Sequence, residues 1–124
     1  MVFRPRGVLS EKRIRTLVKM LDHAEEKAAK PFNRFSDLSH LFAVDVDFEA
    51  ALSVSLHRQL TSAKRAPVKS AFYVTTEAVT RLAKIHGLVM ESSYLSVKIF
   101  DSIGKAARWL KVPKEMLALD PTAR

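Results

Sequence analysis

Apolar residues recur along the first third of the chain at the spacing of a helix face. Between Glu11 and Ala29 they fall at Ile14, Leu17, Val18, Leu21, Ala24 and Ala28, three and four residues apart. Ser10 precedes this run, and its hydroxyl suits an N-cap that accepts an orphan amide of the first turn. Glu11 and Arg15 stand four apart with the acid first, the favourable order for a solvated pair. The same spacing predicts a second helix from Asp47 to Ala63, with Phe48, Ala51, Leu52, Leu56 and Leu60 inward. A third starts at Thr76, turns Val79, Leu82, Ala83 and His86 to one side, and is expected to stop at a left-handed Gly87. A fourth, capped by Asp101 or Ser102, buries Ile103, Ala106, Ala107 and Leu110 and ends before Pro113.

A strand-like run precedes each helix: Val2–Arg6, Asn33–Leu38, Val68–Val74 and Leu95–Phe100. Strands separated by helices of this length cannot pair as hairpins, so the sheet is expected to be parallel with right-handed crossovers. Val68, Ser70, Phe72 and Val74 alternate with Lys69, Ala71 and Tyr73, and Leu95, Val97 and Ile99 alternate with Ser96, Lys98 and Phe100. Period-two alternation predicts one face under helices and one face wet. The expected fold is therefore α/β, a right-handed βα superhelix of about four mainly parallel strands with the helices packed on one face. Pro5 cannot donate to a ladder, which puts the first strand at an edge or a bulge.

Composition narrows the chemistry. With 124 residues and 48% hydrophobic content, the chain is expected to form one domain over 1–112, followed by a tail over 113–124. Zero cysteines exclude disulfides and thiolate chemistry. No apolar run approaches the roughly 20 residues of a membrane span, and the N-terminus lacks a secretory apolar core, so a cytoplasmic location is expected. The net charge is +8, yet Asp37, Asp45, Asp47 and Glu49 form an acidic island. The basic residues are scattered elsewhere, which supports nonspecific attraction to polyanions but no specific nucleic-acid site.

Three stretches together resemble the STAS and SpoIIAA-like family, which includes bacterial anti-sigma-factor antagonists. Phe35-Ser36-Asp37-Leu38-Ser39 followed by Val44-Asp45-Val46-Asp47-Phe48 is similar to the family's second parallel strand, acidic loop and helix start. Arg81-Leu82 with Gly87-Leu88 is similar to its third helix. Val97-Lys98-Ile99-Phe100-Asp101 with Ala106-Ala107-Arg108-Trp109-Leu110 is similar to its last strand and helix. The likeness covers nearly the whole chain. It implies a binding domain that meets a protein partner through Asp45, Asp47 and Phe48, or that takes a small apolar or lipid-like ligand between sheet and helices. The chain departs from the family in entering at one strand instead of a hairpin, and in having no hydroxyl where regulatory members carry a phosphorylatable Ser.

Catalytic motifs are sparse. His23, His40, His57 and His86 include no i, i+4 pair of the kind that builds a helical metal site, and His86 reads as a core or boundary imidazole. Asp45-x-Asp47 after an apolar run matches one element of a magnesium-dependent phosphatase, with Asp37 and Asp101 as further acids, but no constellation completes it. The outward aromatic and cationic residues Lys69, Tyr73, Lys98 and Phe100 are expected to form an open sheet face suited to self-association as a homodimer. The expectation is a non-catalytic binding domain without metal or cofactor; the alternatives are an apolar-ligand binder and a nonspecific polyanion binder.

Overall fold

The computed structural model describes residues 1–28, 30–61, 66–91 and 94–118, with only the backbone described over 58–61. The inward placement of Leu60, a helix end at Ala63 and the last residues of the expected tail lie outside the described residues. In chain order the elements are β1 (Val2–Phe3), β2 (Gly7–Ser10), α1 (Glu11–Lys27), β3 (Arg34–Asp37), β4 (Leu41–Asp45), α2 (Phe48–Thr61), β5 (Val68–Tyr73), α3 (Glu77–Met90), β6 (Leu95–Phe100) and α4 (Ile103–Leu110). A 3-10 turn follows at Lys114–Ala118.

Four strands form a sheet in the order β1-β3-β5-β6, with every neighbouring pair parallel. β1 occupies an edge, as expected. The expected first strand divides in two. It stops at Phe3, passes the buried Pro5, and restarts as β2 at Gly7, whose φ of 83° turns the chain. β2 pairs in parallel with β4, a strand that the hydrophobic pattern does not predict.

Helix starts follow the capping chemistry. Ser10 Oγ accepts from Arg13 N at 3.2 Å, Asp47 Oδ1 from Ala50 N at 2.7 Å, Thr76 Oγ1 from Val79 N at 3.4 Å and Ser102 Oγ from Lys105 N at 3.4 Å. Gly87 does not stop α3, which continues to Met90. A β-carbon on Gly87 would lie 3.4 Å from Val97 Cγ1, within van der Waals contact of β6. The left-handed cap falls instead at Lys111, after α4, where φ is 59°.

The long helices α1, α2 and α3 form a layer on one face of the sheet, the expected SpoIIAA-like arrangement. There Leu38, Leu41, Val74, Val79 and Ala83 make one core with Phe72, Leu82 and Ile99. The short α4 departs from that layer and lies on the opposite face. Phe35, Ala71, Ala106, Ala107, Leu110 and Leu117 are buried together there, with Tyr73, Phe100 and Trp109 packed around them. The cause is visible in the strands: Phe35, Ala71, Tyr73 and Phe100 make the outward positions too apolar to stay wet. Three alanines at the contact let the helix backbone come close. Burying a ring such as Phe35, 1% exposed, contributes about 1.5–3 kcal/mol.

Candidate functional site

Inward positions of parallel strands beneath a helical layer are ordinarily filled by Val, Ile and Leu. Here β3 presents Arg34 and Ser36, and β5 presents Ser70 beside Phe72. The facing helices contribute Ala51 and Ser55 from α2 and Ala83 from α3. Small side chains on both walls leave a gap. The result is a half-open cavity of about 180 Å³, walled by Phe3 of the edge strand, Pro5 after it, and Leu17, Leu21, Val54 and Leu82 from the helices. An apolar cavity of about 150 Å³ is enough to stay dry and admit benzene.

Besides the hydroxyls of Ser36 and Ser70, two polar features interrupt the lining. Ser55 Oγ lies 3.0 Å from His86 Nδ1, and the His86 ring meets Phe72 edge to face at 5.8 Å and 82°. The second is Arg34, only 4% exposed. Its Nη2 donates to Glu25 Oε1 and, at 2.8 Å, to the Tyr94 hydroxyl, while the guanidinium lies 5.7 Å from the Tyr94 ring centroid. Beyond Arg34 is a second space of about 190 Å³, whose walls include Glu25, Lys30, Phe32, Val68 and Tyr94. The two spaces share the Arg34 side chain.

Asp37 marks the end of β3 and is buried. Burial alone would push its carboxyl up. The Ser39 hydroxyl at 2.6 Å, the Ser39 amide at 3.0 Å and Arg4 Nε at 3.0 Å outweigh that, with His40 adding attraction, and hold it below the usual carboxylate range. The acid is thus committed to structure. Asp101 pairs with Lys105 at 3.3 Å, separately from Asp37. Among the described residues no group of three or more His, Asp or Glu is placed to hold a metal ion.

Asp45, Asp47 and Phe48 all lie at the surface where β4 runs into α2. Asp47 serves as the cap of α2, and Phe48 is 63% exposed. Phe42, on β4, is 78% exposed, so two aromatic rings stand open on the β4–α2 segment. The expected open sheet face is different: α4 lies across it. Tyr73 and Phe100 pack in the core under α4, and Lys69 Nζ donates to the Trp109 carbonyl at 2.8 Å. Lys69 and Lys98 Nζ flank the Trp109 ring at 5.1 and 5.8 Å. Of the histidines, His23, His40 and His57 are exposed, and His86 alone reaches the cavity. The hydrophobic pattern does not mark Ser36, Ser55 or Arg34, and it holds Ser70 only as one member of the β5 alternation. The signal for them is a serine or arginine at an inward position of an otherwise apolar strand or helix.

No family model matches the chain, and no curated protein matches it. Among solved structures it is similar to an uncharacterised protein of the DUF3478 family, with a SpoIIAA-like fold, from Shewanella loihica PV-4. The two are 17% identical, with a TM-score of 0.55 over 88% of this chain and 81% of the other. No helix of the described residues is long and apolar enough to cross a membrane. At this identity the likeness concerns the fold: the chain has an α/β, SpoIIAA-like architecture of parallel strands.

Proposed function

We propose that this protein is a binding domain that takes a small apolar ligand, or the apolar part of a larger one, between its sheet and α1–α3. The single observation behind this is the cavity left by Ser36, Ser55, Ser70, Ala51 and Ala83, a concave apolar space with few polar groups. Serine at inward strand positions sacrifices packing, because each replaced Val or Leu would bury more apolar surface. A ligand restores those contacts. Calorimetric titration with octanol tests it: saturable one-to-one binding is expected, and its loss in Ser36→Phe, which places a ring in the cavity. Octanol binding unchanged by that substitution would remove the cavity from the account.

A second reading is a protein partner at the β4–α2 corner, favoured by the exposed Phe42 and Phe48 beside Asp45 and Asp47. Exposed rings rimmed by charge are typical interface anchors. A partner captured from cell extract by the wild type and lost by Phe48→Ser would support this reading. Equal capture by both would count against it.

A further inference from the structure

We propose that the cavity takes a neutral molecule whose apolar body carries one oxygen acceptor, as in a ketone, ester or alcohol, met by the hydroxyls of Ser70 and Ser36. The inference rests on the cavity being an apolar binding site, and it names the group that its ligand carries. Ser70 is 2% exposed and lines the cavity from β5. Among the described residues its hydroxyl has no hydrogen-bond partner, and neither has that of Ser36. In the β3–β5 register Ser70 faces Arg34 and Ser36 faces Phe72. The two serines are therefore diagonal neighbours on the cavity side of adjacent strands.

Buried hydroxyls are ordinarily hydrogen-bonded, and one left without a partner costs free energy. Ser55, on the facing helix, follows that rule, because its hydroxyl meets His86 Nδ1 at 3.0 Å. Ser70 and Ser36 do not, and a hydrocarbon would fill the space while leaving both hydroxyls unmet. Each brings one O–H donor, and a carbonyl oxygen has two lone pairs, so one ligand oxygen has the capacity for both. The ligand is neutral for a separate reason. Arg34, the charged residue of the lining, is already paired with Glu25, so an ionised group would enter without a counter-charge.

The test compares acetophenone with ethylbenzene, a probe of similar size that lacks the carbonyl, by NMR titration of wild type, Ser70→Ala and Ser36→Ala. Both probes are expected to bind the wild type. Ser70→Ala is expected to weaken acetophenone about three- to ten-fold, the worth of one hydrogen bond, and to leave ethylbenzene unchanged or tighter. Ser36→Ala is expected to act in the same direction. Neither change removes a hydrogen bond within the protein, and an unlowered Tm checks that both variants fold. An equal change for the two probes, or no change for either, would overturn the hydrogen-bonding role while leaving the apolar cavity standing. Binding of ethylbenzene without acetophenone would do the same. Failure of both probes to bind the wild type would overturn the proposed function itself, and this inference with it.

Discussion

Arg4 Nε donates to Asp37 Oδ2 at 3.0 Å, and Nη2 of the same guanidinium donates to the Leu117 carbonyl at 2.7 Å. One side chain therefore joins the segment after β1, the end of β3 and the 3-10 turn. Removing one member of such a buried pair leaves the other charge without compensation. Asp37→Asn is expected to cost about 3 kcal/mol at neutral pH, read from urea denaturation.

Asp37 also sets an acid limb of stability. Its folded-state carboxyl lies below the ordinary value of 3.8, so the unfolded chain takes up the proton first. The contribution is complete above the ordinary value and is lost as pH falls through the lower folded one. Urea midpoints of wild type and Asp37→Asn should therefore differ most near neutrality and converge in acid. A gap that widens on acidification would reverse the assignment.

Gly87 gives a prediction of opposite sign to its expected role as a left-handed stop. It lies inside α3, and an added β-carbon meets Val97 Cγ1 at 3.4 Å, an ordinary contact. Gly87→Ala is expected to stabilise by about 0.5–1 kcal/mol through helix propensity, seen as a raised Tm. At a left-handed stop the same change would destabilise.

The four main strands, the serine and threonine caps and the inward faces of α3 and α4 are legible from spacing alone, because each rests on a local rule. The β2–β4 pair is not. Val8, Phe42, Ala43 and Asp45 are exposed, so neither strand carries a clear buried alternation. The placement of α4 runs against the expected open face, because outward residues of β5 and β6 that mix Lys69 and Lys98 with Tyr73 and Phe100 read as a wet surface in the pattern alone. Both lysines instead bring their ammonium groups to the Trp109 ring of α4, and Lys69 also donates to the Trp109 carbonyl. The cavity is harder still to read, since its lining is drawn from seven elements far apart in sequence.

At the β4–α2 corner, structure and binding separate by residue. Asp47 caps α2, so Asp47→Ala is expected to cost about 1 kcal/mol. Phe48 is largely exposed, and Phe48→Ser should change stability by less than about 0.5 kcal/mol. Thermal melts of the two variants check this. A large loss in Phe48→Ser would mean the ring is structural and would weaken its use as a partner anchor.

Filling the cavity should also stabilise the empty protein. Ser36→Phe is expected to raise stability by about 1 kcal/mol, because the ring occupies space that no side chain now fills. Destabilisation by a similar amount would show that the walls have no room for it.

The most direct measurement is an amide-resolved NMR titration of the wild-type protein with octanol. Saturable shifts are predicted for Ser36, Ser55, Ser70 and Leu82, which line the space between the sheet and the long helices, with α4 unaffected. Shifts centred on Lys98 and Trp109, or no saturable shifts at any of the four, would contradict the cavity as the binding site.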